Sequence, residues 1–232
     1  MTYFGSVVIL PLWLQLVMGY TSSQAGTAIA PIGIFTLILA PIIGRNIAKL
    51  NLRVLATFAF LIMGGVSLWN TRMSLDSTFW NIVNPRLIQG IGMACFFLPI
   101  QTLTLSNITP DQMAAASDLS NFLRTLGAAV GTAISVTSWD HLATSHRARL
   151  MENVSHYSQA SNEYLATLQA NGLSTEQAYG AVERAINAQS FMLATNDFFL
   201  YCAVAFFTLS GLVWLTKPKE MDALDMQNAT GH

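Results

Sequence analysis

Two ionisable side chains, Asp118 and Arg124, stand within the run from Met113 to Trp139, which is otherwise apolar enough for the interior of a membrane. A charged group at the centre of a bilayer costs about 2.5–3.5 kcal/mol or more, so it normally faces a polar cavity or a partner. That makes both residues candidates for a substrate or proton pathway. A purely structural reading stays open for each. Asp118 lies only a turn or two beyond Asp111 and could sit at headgroup level, and Arg124 could snorkel or donate to backbone carbonyls. Six positions apart, they project about 120° from one another on a helix and form no direct pair. Each therefore calls for a partner on another helix.

Amides add to the same chemistry. Gln15, Gln89, Gln101, Asn107 and Asn121 all fall in or beside apolar runs, where an amide either lines a polar pathway or joins two helices by a hydrogen bond of about 1 kcal/mol. For any single amide the second role is the commoner. The candidate pathway set is Asp118, Arg124, Asn121, Gln15, Gln89 and Gln101.

Catalytic and metal-binding signatures are absent from the sequence. It has no His-Glu-x-x-His, no Gly-x-Ser-x-Gly and no Gly-Lys-Ser/Thr phosphate loop. His141, His146, His156 and His232 fall in a polar segment and at the terminus, as surface residues do. Cys95 and Cys202 sit in apolar runs, where a small buried thiol packs. The expectation is a protein that is not an enzyme and needs neither a metal nor an organic cofactor.

Composition says what must position these groups. Of 232 residues, 53% are hydrophobic and 10% charged, against roughly 25% charged in soluble domains. Apolar stretches of about 20 residues, the length that crosses the hydrocarbon core as a helix, recur between short polar breaks. The fold class is therefore all-α, a polytopic membrane protein of about six spans. Net charge is −1 with no basic block, so nucleic acid is excluded as a partner and the lipid bilayer is implied.

The spans follow in order. The first covers Phe4 to about Tyr20 and the second about Gln24 to Gly44, and the loop to Arg53 carries three basic residues and no acid. The positive-inside rule puts that loop in the cytoplasm. A third span covers about Val54 to Trp69. Trp69 and Trp80 then bracket an outward-facing connection at the interface. The fourth is expected from Pro85-Arg86 to about Leu105 and the fifth from Met113 to Trp139. From His141 to Gln189 the chain turns polar but keeps helix formers, which predicts surface helices with a break at Asn171-Gly172 and a cap at Ser174 or Thr175. The last span, about Phe198 to Thr216, ends at Lys217-Pro218-Lys219. The resulting division is residues 1–140 with five spans, 141–190 as a polar, partly helical periplasmic loop, 191–218 with the last span, and 219–232 as a cytoplasmic tail.

Small residues mark places where helices can approach closely, at Gly127 with Gly131 and at Gly90 with Ala94. Pro11, Pro31, Pro41 and Pro99 fall inside spans and can kink them. The first apolar run starts almost at Met1 with no basic n-region, which predicts a retained helix and a chain cut from something longer.

Several stretches carry a resemblance. They are Leu10-Pro11-Leu12-Trp13-Leu14-Gln15 with Gly19-Tyr20-Thr21, Ala25-Gly26 through Ala30-Pro31-Ile32-Gly33, and Pro41-Ile42-Ile43-Gly44-Arg45. Further on come Gln89-Gly90, Cys95-Phe96-Phe97-Leu98-Pro99, and the run from Ala116 to Leu126 with Gly131-Thr132. Together these resemble the second half of the 14-helix drug:proton antiporters of the major facilitator superfamily, the EmrB/QacA type, over nearly the whole chain. The resemblance implies a six-helix bundle equivalent to the C-terminal half of such a transporter, with Arg124 matching the family pattern. It also implies multidrug efflux of hydrophobic toxic compounds across a bacterial inner membrane, driven by the proton gradient. The implied partners are an N-terminal half of six to eight helices, a periplasmic adaptor and an outer-membrane channel. The competing expectation is a non-transporting membrane scaffold, or an inactive half-transporter.

Overall fold

The structure, a computed structural model, describes residues 2–46, 50–105, 108–153 and 159–215. Every regular element among them is helical: α1 (Thr2–Leu16), α2 (Ser22–Ile29), α3 (Pro31–Asn46), α4 (Leu52–Asn70), α5 (Phe79–Leu105), α6 (Met113–Asn153), α7 (Gln159–Ala170) and α8 (Thr175–Leu212). The Ser106-Asn107 turn, His156 and the tail from 216 onward lie outside the described residues.

Local chemistry sets the boundaries. After α1 the chain turns at Gly19, whose φ of 70° suits a residue without a Cβ. Thr21 then caps α2 reciprocally: its hydroxyl accepts from the Gln24 amide, and the Gln24 side chain accepts from the Thr21 amide at 2.9 Å. Pro31 brings no N–H to the ladder, yet the chain runs on through Ala30 and Gly33 as one 25-residue apolar span, Ser22–Asn46. Asn51 caps α4 by accepting from the Arg53 amide at 3.1 Å. Gly172, at φ 92°, turns the chain between α7 and α8, and Ser174 with Gln177 forms a second capping box.

The helices are neighbours in the order α3, α5, α4, α8, α6, α1, and α2 closes the ring by touching both α1 and α5. The main core joins Ile9, Leu10 and Trp13 of α1 to Phe60 and Met63 of α4, and to Trp139 of α6 and Phe199 and Phe206 of α8. Outside this core, large apolar side chains are exposed along whole faces, such as Leu37, Ile38 and Ile42 of α3 and Leu200, Tyr201 and Val204 of α8. Apolar outer faces of this kind need lipid against them rather than water. Among the described residues, Ser22–Asn46, Leu52–Asn70 and Thr175–Leu215 are long and apolar enough to cross a membrane, and α1 is a shorter apolar helix. The protein is a multi-pass, all-α membrane protein.

The helices depart from the expected spans in two ways. The fourth helix begins at Phe79 rather than at Pro85-Arg86, because Asn81 already bonds back to Thr78 and the ladder continues past Pro85. Secondly, α6 and α8 continue straight through polar sequence. At 41 and 38 residues they are about twice the length that a bilayer core needs. They stay paired beyond the apolar region through Arg147 of α6 and Glu183 of α8, at 2.7 Å. The polar segment is thus built largely from extensions of two spans, and α8 crosses the 190/191 position without a break.

Candidate functional site

Along α6, Gly131, Ser135, Trp139 and Ala143 recur every fourth residue and are buried, the spacing of one helix face. That face meets α1 and α8. Gly5 of α1 packs so closely on Ser135 and Phe198 that a Cβ there would have no room, and the Trp139 indole donates to Thr195 Oγ1 at 2.9 Å.

Three of the candidates from the sequence lie N-terminal to this packed face, where α6 has few neighbours. Asp118, Asn121 and Arg124 are all exposed, among equally exposed Leu119, Phe122 and Leu123. Arg124 donates through Nη2 to Asn121 Oδ1 at 2.8 Å, one turn back on its own helix. Its guanidinium carbon lies 5.7 Å from the centre of the Phe97 ring of α5, within cation–π range. Arg124 therefore spans two helices through an aromatic face and an amide, with no carboxylate involved. Asp118 has no hydrogen bond or ion pair among the described residues.

The glutamines separate from this group. Gln15 is exposed at the end of α1, where it donates to Pro11 O at 3.1 Å and accepts from Ser22 Oγ at 3.1 Å, so it ties α1 to α2. Gln101 is exposed on α5. Gln89 is buried, and its Oε1 accepts from Arg86 Nη1 at 2.5 Å.

Arg86 is the residue that sequence reasoning missed. It is 2% exposed, inside α5, and its Nε and Nη2 meet no acceptor. Asn84-Pro85 ahead of it has the look of a helix start, and the fourth span was accordingly expected to begin at Pro85-Arg86. The available signal was that Phe79 to Val83 already forms an apolar run continuous with the span. Further orphaned polar atoms come from other helices: Trp13 Nε1 of α1, Asn70 Oδ1 of α4 and Asn196 Oδ1 of α8. Asn196 also donates to Met73 O at 3.3 Å, tying α8 to the end of α4. Such atoms are uncommon in packed interiors and cluster where a protein changes contacts or takes up water or ligand.

A third polar contact lies between α6 and α8, where His146 Nε2 is 2.8 Å from Asp197 Oδ2. Among the described residues no group of His, Cys, Asp and Glu could hold a metal ion, and Cys95 and Cys202 are free and buried.

The arrangement is thus a helical bundle with a buried cation, two buried amide oxygens that meet no donor and an uncovered polar strip on α6. A sequence family described as the Major Facilitator Superfamily matches residues 1–132. The chain is 40% identical over 223 residues to the multidrug export protein EmrB of Escherichia coli K12, covering 94% of this chain and 43% of that protein. It is 40% identical over 218 residues to the fatty acid resistance protein FarB of Neisseria gonorrhoeae, again covering 94% and 43%. It is 35% identical over 217 residues to the probable multidrug resistance protein EmrY of Escherichia coli K12, covering 93% and 42%. The chain spans less than half the length of these curated relatives. With more than half of its residues matched by the family and its helices forming a membrane bundle, the chain belongs to the Major Facilitator Superfamily.

Proposed function

We propose that this chain forms the C-terminal six-helix bundle of a proton-coupled exporter of hydrophobic toxic compounds, in the inner membrane of a bacterium. The observation that carries this reading is likeness across 94% of the chain to proteins named for multidrug export. Transporters of this superfamily bind substrate between two halves near the middle of the bilayer. The exposed strip of Asp118, Asn121 and Arg124 suits a face that a first half of six to eight helices would cover, with Arg124 held over Phe97 as its fixed positive charge. The energy source is the proton gradient, with no bound cofactor.

Orientation follows from charge. Arg45, Lys49 and Arg53 lie on the cytoplasmic side, which puts the C-terminal tail there too and makes the projecting parts of α6 and α8, with α7, periplasmic. That projection is the surface that would meet a periplasmic adaptor leading to an outer-membrane channel.

An antibody to residues 221–232, used on native membranes, tests the two-bundle arrangement. The account expects a polypeptide about twice the 25.3 kDa of this chain. A band near 25.3 kDa that confers no drug resistance would instead favour the scaffold reading.

A further inference from the structure

The outer face of α4 carries one exposed stripe: Val54, Phe58 and Leu61, then Leu68 seven residues on, with Trp69 beside it. Gly65 falls within it. No atom approaches within 4 Å of where a Cβ would stand there, so the stripe is notched. The notch opens a groove of about 390 Å³ lined by Gly65, Leu68, Trp69 and Arg72. Its walls are apolar along three residues and end in a guanidinium. Arg72 is exposed and has no hydrogen bond or ion pair among the described residues, Asp76 four positions on included. Trp69, with Trp80 at the start of α5, marks this level as the membrane interface, where indole rings gather.

We propose that this groove is a binding site for one anionic phospholipid, with an acyl chain lying over Gly65 and Leu68 and the headgroup phosphate on Arg72. The charge sequence matches that occupant from end to end. An acyl chain fills an apolar notch facing lipid, and a planar guanidinium at headgroup depth can hold two phosphate oxygens at once. A neighbouring helix would fit the notch only by bringing its own counter-charge to Arg72.

Native mass spectrometry of the detergent-purified full chain, titrated with phosphatidylglycerol or phosphatidylcholine, tests this. One phosphatidylglycerol should be retained in preference to phosphatidylcholine. Arg72→Gln should weaken its retention about fivefold, the usual effect of one basic residue at an anionic surface, and Arg72→Lys should recover part of it. Gly65→Leu should weaken retention comparably by filling the notch; both sites are exposed and a Cβ at 65 meets nothing, so neither change crowds the helix packing. Millimolar inorganic phosphate should not displace the lipid. Equal retention by Arg72→Gln and the unaltered chain overturns the proposal. Displacement by phosphate, or insensitivity to Gly65→Leu, also overturns it, since then only a phosphate is bound and not a lipid in the groove. In native membranes a photo-crosslinking side chain at position 68 should yield lipid adducts; a protein adduct there would show that a helix occupies the groove.

Discussion

Arg86 donates to Gln89 at 2.5 Å, one turn further along α5, while the remaining Nε and Nη2 of its guanidinium meet no acceptor. A buried cation held by one amide is poorly compensated, and that imbalance separates stability from function.

Arg86→Met removes the charge while keeping the length of the side chain. Replacing a poorly compensated buried ion with an apolar group is often neutral or stabilising by about 1–4 kcal/mol. The variant is expected to melt no lower in detergent than the unaltered protein, while export by the complete transporter falls at least about tenfold. Gln89→Leu, which leaves the cation alone, should cost about 1–3 kcal/mol in the same melts. A marked loss of stability in Arg86→Met with export intact would make Arg86 a packing residue.

The glycines offer a graded test of packing. A Cβ at Gly90 would run into the backbone oxygen of Ile32, which cannot move without shifting α3, so Gly90→Ala should cost about 1–3 kcal/mol. At Gly64 the obstacle is the Phe207 ring at 2.9 Å, a side chain that can swing aside, and Gly64→Ala should cost less. Gly127 faces open space, so Gly127→Ala should be neutral or gain up to about 1 kcal/mol from helix propensity. Thermal unfolding in one detergent ranks the three.

Across the junction where α6 and α8 leave the apolar region, His146 and Asp197 form a partly exposed pair. A double-mutant cycle of His146→Ala and Asp197→Asn should show a coupling of about 0.5–1 kcal/mol, the range for such pairs. Additive effects would mean that Trp139 and Thr195 hold this junction without help.

On the uncovered strip of α6, Arg124→Gln should reduce export by the complete transporter about tenfold, and Arg124→Lys should not restore it fully, because an ammonium cannot reproduce a flat guanidinium over Phe97 with its bond to Asn121. Asp118→Asn separates a proton-carrying carboxylate from a headgroup-level residue. Unchanged drug and proton flux in this variant would remove Asp118 from the pathway.

The apolar runs, the cap at Ser174 and the Asn171-Gly172 turn were legible in the sequence, because each depends on neighbours a few residues away. The lengths of α6 and α8 were not. Polar residues end a membrane span without ending a helix, so hydropathy cannot mark where the helix stops. The depth of Arg86 was hidden for the opposite reason, since Asn84-Pro85 carries a local start signal that the surrounding helix overrides. Periodicity places Asp118 and Arg124 on α6 about 120° apart, but which neighbour Arg124 meets depends on how α5 packs, and no local pattern supplies that.

The most direct test of the central claim is drug-driven proton movement in inside-out vesicles holding the complete polypeptide that contains this chain. With an imposed proton gradient, adding an amphipathic drug should dissipate that gradient and drive drug into the vesicle lumen, and Arg124→Gln should slow both about tenfold. Stable insertion of the protein with no drug-dependent proton flux would contradict the account.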